Sequence, residues 1–171
     1  MRTSEQGKTL IKHYESLHDG DLKRIGLQPK LDTVGIVTVG WGHAVADRNG
    51  RWLRGQSGIA QLSILYPDLE TITVEEADQL LEGDLIGFEN NINSLGIEFS
   101  QNEFDALVSF SFNCGFAALK GSTLLKRIIS NTGDIMGAFL MWNKSNGVVW
   151  NGLTARRKTE GTLFLTGKLV F

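Results

Sequence analysis

Residues 30–43 read KLDTVGIVTVGWGH, and this stretch decides the fold of the chain. Its β-branched residues recur in near-alternation, which is typical of strands. Three glycines, Gly35, Gly40 and Gly42, interrupt the alternation and allow the backbone to pack tightly. The stretch therefore predicts a small antiparallel sheet, with helical patterns before it and after it.

A first helix is predicted over residues 3–17. Thr3 and Gln6 have the spacing of a capping box at its start, and Glu15 lies close to its end. One face of this helix is apolar and is formed by Leu10, Ile11, Tyr14 and Leu17.

Between the first helix and the sheet, the turn-forming residues His18–Asp21 and the later Pro29 predict a loop over 18–30. A second hairpin is predicted around the Asn-Gly dipeptide at 49–50, because Asn-Gly between apolar arms is a strong hairpin signal. A short helix is expected near Ile59–Leu65.

The remaining chain has helical patterns. Thr73 and Glu76 form a capping box for a long helix that reaches residue 95, and Ser100 with Glu103 caps the next helix. Further helices are expected over 121–131, 134–143 and 154–165.

These elements predict one α+β domain over residues 1–171. It comprises a small N-terminal lobe with an antiparallel sheet at about 12–72, a linking helix at about 73–95, and a larger all-helical lobe at about 96–171 that includes the first helix. A hydrophobic content of 42% and a charged content of 21% are ordinary for such a domain.

Composition also limits the function classes. Cys114 is the only cysteine, which excludes an intrachain disulfide and a Cys-rich zinc site. We expect no metal and no cofactor. The polar first residues do not resemble a signal peptide, and no apolar run is long enough to enter a membrane. We therefore expect a cytoplasmic monomer with no membrane insertion and no nucleic-acid partner.

Charge is distributed unevenly along the chain. Residues 1–99 carry nine basic and fifteen acidic side chains, whereas residues 100–171 carry eight and four. The basic C-terminal part could face an anionic polymer. An uneven but fully solvated surface explains the same numbers, and both interpretations remain open.

Four linked motifs resemble those of phage-type lysozymes, the endolysins of glycoside hydrolase family 24. The family has a glutamate that closes the first helix, then Asp-Pro-x-Gly-x-x-Thr-x-Gly-x-Gly-His, which correspond here to Glu15 and residues 32–43. Three later family segments recur in the same order: Phe104–Gly115, Ser122–Leu125, and Gly152–Glu160 followed by Leu163–Gly167. The resemblance covers nearly the whole chain and implies a lysozyme-like fold.

The chain departs from the family pattern at two places. Glu15 and Asp32 are 17 positions apart, about twice the family spacing, so residues 18–30 form an insertion that could contact substrate. Thr33 replaces a common proline, which should cost only loop rigidity.

The resemblance implies cleavage of the β-1,4 bond between N-acetylmuramic acid and N-acetylglucosamine in peptidoglycan, with inversion. Glu15 would be the general acid, Asp32 the general base, and Thr38 the residue that holds the attacking water. An inverting reaction places the two carboxyl groups about 6.5–9.5 Å apart. Without the family motif, these residues would be a surface glutamate, a turn aspartate and a strand threonine.

Further roles are implied for four residues outside this trio. Asn113 would hydrogen-bond the substrate, with a C-terminal helix cap as the alternative. Arg156 would reach Glu15, and its neighbour Arg157 would be solvated. His43 is expected to form a structural ion pair or hydrogen bond.

Glycines and the cysteine are expected to be structural. Gly40 and Gly42 would permit tight strand packing and the close approach of a sugar. Cys114 would be a small buried hydrophobic residue.

The expected partner is bacterial peptidoglycan, and the biological role implied is host cell lysis after infection. A cytoplasmic enzyme would then need a holin-type pore to reach the wall. Two alternatives stay open: a catalytically inactive wall-binding module, and a lytic transglycosylase, for which Asp32 would be dispensable.

Overall fold

The computed structural model describes all 171 residues, in two compact units. The sheet unit comprises Glu15–Asp84. The helical unit comprises Met1–Tyr14 together with Leu85–Phe171. The first helix, α1 (Glu5–Glu15), and the long helix α3 (Val74–Asn93) each cross the sequence boundary between these units.

The sheet unit contains the predicted antiparallel sheet. Its three strands have the order β1-β2-β3, and they are β1 (Lys30–Leu31), β2 (Val37–Val39) and β3 (His43–Ala44). Lys30 faces Thr38 across the first pair, and Val39 faces His43 across the second. Helix α2 (Gly55–Leu65), a 3-10 turn (Pro67–Leu69) and the start of α3 follow.

The core of the sheet unit is formed by side chains from all of these elements: Leu27, Val37, Val39, Val45, Leu53, Leu62, Ile72 and Ala77. The predicted loop at 18–30 forms turns and bends and contains no helix. It is held near both ends by short antiparallel bridges, His18 with Gly40 and Leu27 with Ile72. The insertion is therefore attached to the sheet unit rather than loosely appended to it.

The helical unit is built mainly around α4 (Gln101–Cys114) and the C-terminal helix α8 (Asn151–Thr166). Three shorter helices lie between them in sequence: α5 (Phe116–Gly121), α6 (Thr123–Ser130) and α7 (Ile135–Leu140). None of the helices combines the length and the apolar character that a membrane span requires.

Of the three capping boxes predicted from the sequence, two are present in the structure and one is not. Both capping boxes, Thr73 with Glu76 and Ser100 with Glu103, are present. At α1, however, the side chain of Ser4 accepts the backbone N–H of Gly7. The Thr3 hydroxyl instead donates a hydrogen bond to the carboxylate of the buried Glu89, so it does not cap α1.

One further element lies in the lobe that we predicted to be all-helical. Strands β4 (Lys144–Ser145) and β5 (Val148–Val149) form an antiparallel hairpin before α8. The turn residues Asn146 and Gly147 both have positive φ, at 50° and 80°. This is the conformation that favours Asn-Gly in two-residue hairpin turns, so the dipeptide was a usable signal for the hairpin.

Candidate active site

The predicted acid, Glu15, is the last residue of α1 and is half-buried. Its Oε2 lies 3.8 Å from the position that a Cβ atom on Gly42 would occupy, and Gly42 has a φ of +89°. A side chain at position 42 would therefore be strained and would touch this carboxylate. Gly42 therefore leaves room beside Glu15.

Asp32 lies where β1 turns toward β2. Its Oδ1 accepts the backbone N–H groups of Val34 at 2.9 Å and Ile36 at 2.7 Å. Its backbone carbonyl accepts the N–H of Gly35 at 3.1 Å. Asp32 is thus a turn-forming aspartate, and these bonds hold its carboxylate in one orientation. Its second oxygen, Oδ2, accepts no hydrogen bond from the protein.

Thr38 lies in the middle of β2 and is only 4% exposed. Its hydroxyl donates to the carbonyl of Lys30 across the strand pair at 3.1 Å. The same oxygen lies 2.7 Å from Nδ1 of His18. Its hydroxyl is therefore already engaged within the protein.

His18 is the residue that sequence reasoning missed. Its backbone N–H donates to the carbonyl of Gly40 at 2.8 Å, which fixes the chain just beyond α1 against the sheet. Burial lowers the pKa of the His18 ring, and the cation of Lys30 lowers it further, whereas the carboxylates of Glu15 and Asp32 raise it. His18 thus lies within the electrostatic reach of both predicted carboxylates and in contact with Thr38.

No local signal marks His18, because His-Asp-Gly-Asp at 18–21 is an ordinary turn sequence. Its partner is 20 positions away, and only the strand register decides that the two side chains meet. The structure therefore places Thr38 in contact with His18, and it places the carboxylates of Glu15 and Asp32 within electrostatic range of the same ring.

The remaining predicted residues of the sheet unit have structural contacts. Nδ1 of His43 lies 2.9 Å and 3.0 Å from the two carboxylate oxygens of Asp84. At Gly40, an added Cβ would lie 2.8 Å from the Cβ of Ala77. Any larger residue at position 40 would therefore push the sheet away from α3.

Asn113 and Arg156 belong to the helical unit. Asn113 is exposed in the last turn of α4, where Gly115 supplies the helix end by donating to the carbonyl of Ser111. The alternative of a side-chain cap at Asn113 is therefore wrong. Arg156 is only 3% exposed; its guanidinium lies 3.2 Å from the Glu160 carboxylate and 5.6 Å from the ring centre of Tyr14.

Our expectation that Arg157 is solvated is wrong. Arg157 is completely buried, and its Nε lies 2.8 Å from Oε2 of Glu160. It also donates to the sulfur of Cys114 at 2.8 Å and lies over the ring of Phe110. Burial occurs because this part of α8 packs on α4, so that Arg157 enters the core of the helical unit.

Our expectation that Cys114 is a buried hydrophobic residue is wrong, because Cys114 is half-buried and its sulfur accepts this hydrogen bond from Arg157. Burial raises the pKa of the Cys114 thiol, which Arg157 opposes. A raised pKa disfavours the thiolate, which is the nucleophilic form of cysteine.

Comparison with known proteins identifies the family of the chain. Residues 23–160 match the Phage lysozyme family. The chain is 37% identical to the endolysin of Bacillus phage B103 over 98% of its own length. It also resembles two solved structures: an endolysin from Escherichia coli O157:H7 phage FAHEc1, with a TM-score of 0.75 and 30% identity, and the muramidase domain of SpmX from Asticaccaulis excentricus, with a TM-score of 0.72 and 31% identity.

The fraction of each relative's length that this chain covers differs. This chain spans 56% of the Bacillus phage endolysin, about half of its length. The FAHEc1 match covers 100% of this chain and 98% of that one, and the SpmX match covers 96% and 98%. The fold is α+β and lysozyme-like, and the chain belongs to the phage lysozyme family.

Proposed function

We propose that this protein hydrolyses bacterial peptidoglycan at the β-1,4 bond between N-acetylmuramic acid and N-acetylglucosamine, with inversion. Membership of the phage lysozyme family supports a muramidase activity. The observation that carries the proposal lies in the sheet unit, where the Thr38 hydroxyl contacts His18 and the carboxylates of Glu15 and Asp32 act electrostatically on the same ring. Two carboxyl groups with separate roles are what glycosidic hydrolysis requires.

Glu15 is the general acid in this proposal and donates its proton to the leaving glycosidic oxygen. Asp32 is the general base. Its Oδ1 is occupied by backbone N–H groups, which leaves Oδ2 to accept a proton from water. Thr38 accepts the other hydrogen of that water, so that a lone pair of the water oxygen faces the anomeric carbon.

We also propose the finer features of the biological role. Asn113, which is exposed in the last turn of α4, contacts the substrate. The enzyme acts as a monomer that remains in the host cytoplasm until a holin-type pore lets it reach the wall. The endolysin name of the Bacillus phage relative supports a lytic role.

The deciding experiment is product analysis with the purified protein on isolated peptidoglycan. Liquid chromatography with mass spectrometry should find fragments with reducing ends, and Glu15→Gln should reduce their rate of release by about 10²–10⁴-fold. Anhydro ends would instead identify a transglycosylase. Binding to the wall without any fragments, from a folded protein, would identify a binding module.

A further inference from the structure

His18 makes a side-chain contact that the proposed mechanism does not yet use. Its ring nitrogen Nδ1 lies 2.7 Å from Thr38 Oγ1, and its backbone is held by Gly40. We propose that His18 is a positioning residue that sets the direction of the Thr38 hydroxyl, and thereby the hydrogen bond that Thr38 offers to the hydrolytic water. This inference rests on the proposed function.

The hydrogen-bonding capacity of a hydroxyl explains the role. A threonine oxygen has one hydrogen to donate and two lone pairs to accept with. When its hydrogen goes to the carbonyl of Lys30 and His18 donates from Nδ1, one lone pair remains, and a water can donate to it. Without His18 the hydroxyl is held on one side only, and the acceptor direction is no longer unique.

Geometry also explains why a histidine rather than a fixed cation suits this position. The charged groups that act on the ring are Lys30 on β1, Glu15 at the end of α1 and Asp32 in the turn after β1; Asp19 is its neighbour in sequence. A neutral ring contacts Thr38 without adding positive charge beside the proposed base. Burial keeps the pKa of His18 below its usual range, so the ring stays neutral into the acid range.

Protonation of His18 would weaken the site. An imidazolium donates from both nitrogens, and its charge stabilises the ionised form of Asp32, which makes that carboxylate a poorer base. We therefore expect kcat to fall as the pH decreases through the pKa of His18.

Two substitutions separate the hydrogen bond from the charge. His18→Phe keeps a ring but removes the contact with Thr38, and should lower kcat about tenfold with little change in KM, since one positioning hydrogen bond is lost. His18→Asn places an amide group at the position of Nδ1 and cannot titrate. It should recover kcat to within about threefold of the parent.

The pH profile is the readout that a purely structural role would not move. In the parent, protonation of His18 should contribute to the fall of kcat at low pH. In His18→Asn, this fall of kcat should begin at a lower pH. His13→Asn is the matched control, because His13 is exposed and stacks on Phe171 in the helical unit. That control should leave both kcat and the acid limb unchanged.

Release of reducing ends from peptidoglycan is the assay, and thermal melting of each variant checks folding. Unchanged kcat in folded His18→Phe, with the same acid limb in His18→Asn as in the parent, would overturn this inference alone. If His18→Phe does not fold, His18→Leu, which also lacks the contact with Thr38, replaces it in the kcat comparison. An inactive parent protein would overturn the proposed function itself, and the role of His18 with it.

Discussion

In the helical unit, Glu160 is completely buried between Arg156 and Arg157, and Ser109 donates a further hydrogen bond to it at 2.7 Å. In the sheet unit, Glu15 and Asp32 are only half-buried, and their charges act on the ring of His18. Both regions hold carboxylates away from bulk water. Only in the helical unit is the carboxylate, that of Glu160, surrounded by arginine cations and a hydrogen-bond donor.

This difference distinguishes the structural cluster around Glu160 from the proposed catalytic cluster of Glu15 and Asp32. Complete burial raises the pKa of Glu160, while its two arginines and Ser109 oppose the rise. Each oxygen of this carboxylate lies within ion-pair distance of an arginine and the side chain is completely buried, so it cannot exchange protons with a substrate. Asp32 retains an oxygen without a protein partner, which is the property a general base needs.

The largest expected effect is on stability in the helical unit. Glu160→Gln leaves two buried guanidinium groups without their counter-ion and should lower the free energy of unfolding by about 3–5 kcal/mol. Urea denaturation measures this change. Glu98→Gln, at an exposed position, is the control and should stay within about 0.5 kcal/mol of the parent. A small loss in Glu160→Gln would show that the network contributes little.

The next effect is on activity in the sheet unit. Asp32→Asn removes the proposed base but keeps the side-chain oxygen that accepts the N–H groups of Val34 and Ile36. The rate of peptidoglycan cleavage should fall about a hundredfold or more, while thermal stability changes little. Retained activity would favour transglycosylase chemistry, and a large loss of stability would show that Asp32 acts mainly in the turn.

A third prediction concerns the pH dependence of stability in the helical unit. Burial raises the pKa of Glu89, but hydrogen bonds from Thr3 and Arg2 outweigh it and the pKa is lowered overall. The stability from ionised Glu89 is therefore present above its unfolded pKa, about 4.3, and is lost as the pH falls through its lower folded pKa.

Thermal melting of the parent and of Glu89→Gln between neutral pH and about pH 3 measures this contribution. The advantage of the parent should shrink on acidification. A difference that stays constant over this range would mean that the ionised form of Glu89 contributes nothing specific.

The smallest effect is expected at the turn of the sheet unit. Thr33 lies second in the turn closed by the N–H of Gly35 and the carbonyl of Asp32, a position that favours proline. Thr33→Pro should raise the free energy of unfolding by about 0.4–1 kcal/mol, because the unfolded chain loses freedom. A lower melting temperature would mean that the backbone at Thr33 does not suit proline.

Local sequence patterns predicted much of the secondary structure. Residues 30–43 predicted the antiparallel sheet, and the pairs Thr73–Glu76 and Ser100–Glu103 predicted two helix starts, because strand alternation and capping bonds involve neighbours in sequence. The family motif identified Glu15 and Asp32 as candidates. The same rules failed at Thr3, where a distant carboxylate competes with the helix start.

The α+β class, the family and the order of the main helices and of the three-stranded sheet followed from the sequence alone, since these depend on periodicity and on linked motifs. Tertiary structure alone decided that His18 meets Thr38 and that Arg157 lies in the core of the helical unit. The physical reason is register. A shift of one residue in a strand turns each side chain to the opposite face, so contacts across 20 positions or more depend on how the whole chain packs.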